Sequence, residues 1–260
     1  MIFYFSGTGN TKWAAQYLAD ATGEELIWIP DAMNEAVDNR CHYTLQSGER
    51  IGFCFPVHGW RPPFLVRNFI RKLCIEQAQG HFCYALCTAG DNIGETMRLL
   101  QQDLSSVGLR ASSLYSLIMP ESYVGLPFMD VDTPAKEQQK KVHAKELLEQ
   151  YAQSIVNRQE GEEHLDIGNW PRINTRVIGS YFLNRLVTDK PFHVVEERCI
   201  ACGKCFTVCP VHNIEGGKGK FPSWKHTGDC LTCFSCYHHC PQHAIEFGNR
   251  TRKKGQYYFK

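Results

Sequence analysis

Between Cys199 and Cys240 the chain repeats itself. Cys199-Ile-Ala-Cys202-Gly-Lys-Cys205-Phe-Thr-Val-Cys209-Pro210-Val-His212-Asn-Ile214-Glu215 aligns position for position with Cys230-Leu-Thr-Cys233-Phe-Ser-Cys236-Tyr-His-His-Cys240-Pro241-Gln-His243-Ala-Ile245-Glu246. Eight of the thirteen cysteines lie in these two runs, and each run reads C-x2-C-x2-C-x3-C-P. Three thiols at intervals of three residues can wrap one inorganic centre on a tight loop but cannot close around its fourth corner. The fourth cysteine, followed by proline, points elsewhere. The other five, Cys41, Cys54, Cys74, Cys83 and Cys87, are scattered at no ligand-like spacing.

The run is the one by which bacterial ferredoxins hold 4Fe-4S clusters as thiolates, and where two runs occur the fourth cysteine of each ligates the other cluster. The expected sets are therefore Cys199, Cys202, Cys205 and Cys240 for one cluster, and Cys230, Cys233, Cys236 and Cys209 for the second. The crossing ties residues 191–260 into one small α+β ferredoxin-like domain. Zinc sites use cysteine pairs separated by longer gaps. A disulfide framework would want an export signal, which the start MIFYFSGTGN does not resemble, so a cytoplasmic location is expected. Ile200, Ile214, Leu231 and Ile245 are expected to shield the clusters. His212, His226, His238, His239 and His243 are expected at the surface or in an outer shell, because eight thiolates already saturate both centres.

Residues 1–120, within an expected domain of residues 1–158, alternate short apolar strands with amphipathic helices. Strands are expected at Ile2–Phe5, Leu26–Ile29, Ile51–Phe55, Phe82–Cys87 and Ser112–Met119. Helices are expected at Lys12–Thr22, after Pro62-Pro63, near Ile93–Val107 and after Pro134. The alternation predicts an α/β fold, a doubly wound parallel five-stranded sheet of the flavodoxin-like kind, ordered 2-1-3-4-5. Residues 159–190 read as a charged linker, Gln159–Pro171, and an amphipathic helix over Ile173–Val187 with Ile173, Val177, Tyr181 and Leu186 on one face. Arg176, Asn184 and Arg185 interrupt that face and favour a core or interdomain helix over membrane contact. No apolar run approaches the roughly 18 residues of a membrane span. The formal charge of +1 favours no partner. From residue 199 on, nine Lys or Arg stand against three acidic residues, but no nucleic-acid recognition motif accompanies them, and the final basic run reads as a solvated tail.

The first strand runs through Ser6-Gly7-Thr8-Gly9-Asn10-Thr11 directly into a helix. Glycines that admit an anion, amides at a helix N-terminus and the hydroxyls of Ser6, Thr8 and Thr11 make a phosphate loop. It lacks the lysine of triphosphate loops and the G-x-G-x-x-G of dinucleotide folds. A single monophosphate suits it, and FMN binds a doubly wound sheet between strands one and three. The loop after strand three, Pro56-Val57-His58-Gly59-Trp60-Arg61, should then touch the flavin, with Trp60 or His58 against the ring and a Gly59 peptide able to turn its carbonyl to N5. Thr88-Ala89-Gly90-Asp91-Asn92 should lie near the pyrimidine end, and Tyr123 and Phe128 at the rim. Trp60, Asp91 and the two rim aromatics also have plain structural roles open to them, as core, helix cap or packing.

Phe3-Tyr4-Phe5-Ser6-Gly7-Thr8-Gly9-Asn10-Thr11, Phe55-Pro56-Val57, Met119-Pro120-Glu121-Ser122-Tyr123 and both cysteine runs together resemble the EFR1 family of flavodoxin–ferredoxin fusions, found chiefly in anaerobic microbes. The resemblance spans nearly the whole chain. It implies an N-terminal flavodoxin-like domain with FMN and a C-terminal ferredoxin-like domain with two 4Fe-4S clusters. Clusters carry single electrons and a flavin one or two, so the expected role is electron relay between one-electron carriers and a two-electron partner. Two other classes are a flavin-dependent reductase of a small organic substrate, with His58 as proton donor, and an iron–sulfur sensor.

Overall fold

The computed structural model describes all residues 1–260. Six parallel strands form the main sheet: β1 (Ile2–Tyr4), β2 (Leu26–Trp28), β3 (Ile51–Pro56), β4 (Cys83–Ala89), β5 (Ser113–Ile118) and β6 (Glu163–His164). Their order is β2-β1-β3-β4-β5-β6, the expected flavodoxin-like winding with one strand added. β3 shows why its residues are nearly all apolar. Ile51, Phe53 and Phe55 face a core shared with Phe69 of helix Phe64–Lys72 and Leu100 of helix Thr96–Ser105. Cys54 faces the opposite core, with Leu18 of helix Asn10–Thr22 and Leu148 of helix Pro134–Val156. A sheet covered on both faces needs apolar residues at every position.

The sixth strand comes from the segment expected to be a linker. Leu114 donates its amide to Glu162 O (2.8 Å), and the Ser116 hydroxyl and Asp166 amide are 2.8 Å apart. These bonds satisfy the edge of β5, which would otherwise be open. A second departure is the parallel pair Cys41–Thr44 with Leu73–Glu76, whose second strand starts directly where helix Phe64–Lys72 ends. The five scattered cysteines belong to these strands; Cys41, Cys54, Cys83 and Cys87 are buried.

Helix Pro171–Arg185, which contains a wider π-type turn at Asn174–Ile178, packs against the loops that follow β3 and β4. The face turned inward is only in part the expected one: Ile173, Val177 and Tyr181 are exposed and Leu186 is half-buried, whereas Thr175 and Gly179 are buried. Small residues permit the close approach. A Cβ on Gly179 would collide with Gly59 O. The Arg61 guanidinium donates to Thr175 O (2.8 Å) and Ser180 Oγ (2.7 Å), and Arg176 pairs with Glu95 (2.7 Å).

In the C-terminal part, Phe192–Val194 pairs antiparallel with Ile245–Phe247, and Ile214–Gly217 forms a hairpin with Lys220–Trp224. Their core of Phe192, Trp224, Phe234, Tyr237 and Phe247 also takes in Val124 from the loop after β5, while Leu231 joins the core of the main sheet. The basic run before the C-terminus is not the expected solvated tail. Lys254 donates to the carbonyls of Val124, Leu126 and Met129, Arg250 donates to Gly125 O, and Tyr257 is buried. These carbonyls lie in an irregular loop, in which Leu126 O also accepts the Met129 amide (3.2 Å), and Lys254 gives the others a donor they would otherwise lack.

Candidate functional site

A cavity of about 550 Å³ opens at the C-terminal ends of β1, β3, β4 and β5, where such sheets bind ligands. Its wall contains Ser6, Gly7, Thr8, Asn10, Thr11, the whole of Pro56–Trp60 and Thr88–Asn92, and Tyr123. Two of the expected loop residues stand outside it: Gly9, covered by Phe259, and Arg61, turned to Thr175 and Ser180. Phe128 stands at the mouth, 84 % exposed.

The phosphate loop is held from several sides. Ser6 Oγ accepts the Gly9 amide (3.1 Å), Asn10 Nδ2 donates to Pro120 O (3.0 Å), Thr11 and Thr88 share a hydroxyl bond (2.8 Å), and Thr8 Oγ1 donates to Ser122 Oγ (3.3 Å). The amides of Gly7, Thr8, Asn10 and Thr11 have no partner within the chain. Orphan donors at the start of a thirteen-residue helix fit an anionic group, so the loop passes the chemical test for a phosphomonoester.

The β3 loop turns tightly. His58 N donates to Arg61 O (2.9 Å), Arg61 N to His58 O (3.2 Å), and Gly59 and Trp60 both have positive φ, 56° and 59°, as a type I′ turn requires. The Gly59 carbonyl lies against Gly179 of the helix, so turning it toward a flavin would require that contact to break. A side chain at Gly59 would meet Phe182 Cδ1 at 2.7 Å. Phe182 in turn meets Tyr123 edge-on at 5.2 Å. Burial pushes the His58 imidazole down to about 4, so it is neutral at ordinary pH.

Several wall residues were not expected in the cavity from the sequence. Glu121 Oε1 accepts the amides of Ser122 (2.9 Å) and Tyr123 (2.8 Å), and burial raises its carboxyl above the usual carboxylate range. Its other oxygen occupies the space a Cβ would take at Gly90. Tyr181, Phe182 and Leu186 come from the connecting helix, and Leu231, Thr232 and Cys233 from the second cysteine run. Cys233 is the critical member. A Cβ on Gly7 would stand 3.2 Å from Cys233 Cβ and 3.8 Å from its Sγ, which is why the loop needs glycine there.

The eight run cysteines surround two small cavities. Cys199, Cys202, Cys205 and Cys240 line one; Cys209, Cys230, Cys233 and Cys236 line the other. Each thus has three thiols of one run and the fourth of the other. No three His, Cys, Asp or Glu side chains are grouped as a single metal ion would hold them; the thiols ring a space. Backbone donors repeat as the sequence does. Ala201 N reaches Cys199 Sγ (3.4 Å) as Thr232 N reaches Cys230 Sγ (3.4 Å), and Asn213 N reaches Cys209 Sγ (3.3 Å) as Ala244 N reaches Cys240 Sγ (3.2 Å). The turns rest on left-handed non-glycine residues at matching places: Ala201 and Thr232 (φ 49° and 48°), His212 and His243 (both 49°). Such conformations persist only where the surroundings impose them, and here they aim amides at sulfur. Burial, with neighbouring thiols adding to it, pushes Cys205 and Cys230 up to about 11 and Cys233 up to about 12. Such thiols ionise only with a cation at hand, which fits iron–sulfur ligation.

Of the expected shielding residues, Ile214, Leu231 and Ile245 are buried, but Ile200 is 61 % exposed. The two cavities differ likewise: Cys202 is exposed in the first, whereas Cys236 is buried in the second. Among the histidines, His238 departs furthest from a surface role. It is buried, with Nε2 on Ser122 O (2.6 Å) and Nδ1 accepting the Tyr257 amide (3.1 Å).

Residues 193–241 match the family of 4Fe-4S dicluster domains. This part of the chain is a ferredoxin-type 4Fe-4S domain. No curated protein matches the chain. Among solved structures, a candidate flavoprotein of Bacteroides uniformis is similar at 18 % identity and a TM-score of 0.34, over 45 % of this chain and 88 % of its own. A rubredoxin:oxygen oxidoreductase of Desulfovibrio gigas is similar at 16 % and 0.28, over 59 % of this chain and 36 % of its own. No helix is long and apolar enough to cross a membrane.

Proposed function

We propose that the chain is an electron-transfer flavo-iron–sulfur protein of the EFR1 kind, relaying electrons between two 4Fe-4S clusters and FMN. In this reading residues 1–158 hold FMN in the large cavity and residues 191–260 hold the clusters, one on Cys199, Cys202, Cys205 and Cys240 and one on Cys230, Cys233, Cys236 and Cys209. Residues 159–190 complete the sheet and close the cavity. The carrying observation is the position of Cys233, at once in the ring of four thiols and in the wall of the cavity beside Gly7. FMN supplies a centre that exchanges one or two electrons, and the clusters exchange one at a time. The chain's residues do the arranging. The unpartnered loop amides and nearby hydroxyls take the phosphate; Trp60, Tyr123 and Phe182 wall the remainder; the exposed Cys202 end faces outside redox partners.

The test is anaerobic purification with iron, sulfide and released-flavin analysis, then rapid mixing with a one-electron reductant. Cluster bleaching followed by flavin bleaching in the same molecule is expected. Flavin that stays oxidised beside reduced clusters overturns the relay.

A further inference from the structure

The last residues of the chain cross the phosphate loop. Phe259 donates its amide to Thr8 O (2.7 Å), and its ring stacks on Trp13 at 5.0 Å and 25°. The Tyr257 hydroxyl donates to Asn10 Oδ1 (2.5 Å) while Asn10 Nδ2 donates to Pro120 O, so both ends of that amide are committed and its orientation is fixed. Gly9, at φ 96°, leaves only 3.0 Å between the place of a Cβ and Phe259 Cβ.

The same few residues are anchored on the cysteine cage. Gln256 Nε2 donates to Tyr237 O (2.6 Å) and Cys240 O (2.9 Å), and the Tyr257 amide donates to His238 Nδ1. Because Nδ1 accepts, the proton of His238 is on Nε2, which donates to Ser122 O; the Ser122 hydroxyl accepts from Thr8. Two separate segments thus join short helix Ser235–His238, between Cys233 and Cys240, to residues Thr8–Asn10.

We propose that Gln256–Phe259 is a positioning strap that makes retention of FMN and retention of the clusters mutually dependent. The inference rests on the reading of the large cavity as an FMN site. A loop of glycine and small polar residues is costly to order. A strap that orders it beforehand strengthens binding without touching the ligand. Because the strap's other end is held by the cage, an effect of FMN on the cage must accompany any effect of the cage on FMN.

Fluorescence titration of cluster-loaded protein with FMN, and with riboflavin as the ring without the phosphate, tests this in Tyr257→Phe and Phe259→Ala. Expected is an FMN Kd raised about tenfold in either variant, riboflavin affinity unchanged, and iron content as in the wild type. In the wild type, FMN should slow iron loss to a chelator, and the protection should shrink in both variants. Unchanged FMN affinity, equal weakening of both flavins, or loss of iron from the isosteric Tyr257→Phe protein overturns the strap. Wild-type protein that takes up neither flavin instead fails the cavity reading itself, a separate outcome.

Discussion

Ile200 and Leu231 hold the same place in the two repeats, yet one is 61 % exposed and the other 3 %. Truncating each to alanine therefore removes similar chemistry from opposite environments. Leu231 packs in the main-sheet core and lines the wall beside Cys233; burying a leucine is worth about 1.5–3 kcal/mol. The cavity left behind brings a buried Leu→Ala change to about 2–5 kcal/mol, and about 3 is expected at Leu231. Ile200→Ala should stay within about 0.5 kcal/mol, as exposed substitutions do. Loss of clusters makes unfolding irreversible, so the proper readout is a rate: anaerobic decay of cluster absorbance in moderate urea. A loss of about 3 kcal/mol felt wholly on the unfolding limb speeds decay about a hundredfold in Leu231→Ala, against less than about threefold in Ile200→Ala. Equal rates for the two variants would refute the reasoning that Leu231, seated in the core of the main sheet, holds the second repeat in place while Ile200 holds nothing.

Tyr84 is fully buried and its hydroxyl has no partner, so Tyr84→Phe should gain about 1 kcal/mol, seen as slower anaerobic decay of cluster absorbance in urea; faster decay would mean the hydroxyl is bonded. Burial pushes the Cys83 thiol up to about 12, so it should resist alkylation at pH 8 in the folded protein and react at once in urea, and Cys83→Ala should leave iron content unchanged. Hydrogen bonds from Arg176 and Arg98 hold the Glu95 carboxyl down to about 2. A lowered folded value means stability present above the unfolded carboxylate value near 4.5 and lost as pH falls toward 2. The pair with Arg176 is solvent-screened, so protease cleavage within Pro171–Arg185 should be modestly faster in Arg176→Ala at pH 7, with the difference fading as pH falls from 4.5 toward 2.

The winding of the sheet was legible because its buried strands are unbroken apolar runs separated by helices of regular period. Both cysteine runs and the phosphate loop were legible because their chemistry demands fixed spacing. β6 escaped because Glu163 and His164 are both exposed, leaving no alternation to read; what makes them a strand is the unsatisfied edge of β5. The connecting helix was visible as amphipathic, yet its inward face was read only in part, since apolar Ile173 and Val177 are outside and small Thr175 and Gly179 inside. Backbone approach, not apolar burial, decides that contact. The strap carried a faint signal in Tyr257-Tyr258-Phe259, whose first residue is buried and second exposed, but the lysines before it suggested solvent.

Position-for-position repeats need not be equivalent in space, and the difference between these two organises the molecule. Leu231 lies in the core of the main sheet, and Val124 of the sheet half lies in the core around Phe234. Separating the halves would expose both side chains, at about 1.5–3 kcal/mol each, and would break the bonds of His238 to Ser122 and of Lys254 to three carbonyls. A flexibly tethered cluster domain would have none of these contacts to lose. The gap between Cys233 and the cavity is thereby fixed by packing, and on the proposed reading internal electron exchange needs no domain swing. Exchange with the outside then falls to the first repeat, where Cys202, Ile200 and Phe206 are left exposed because no counterpart of the sheet covers them.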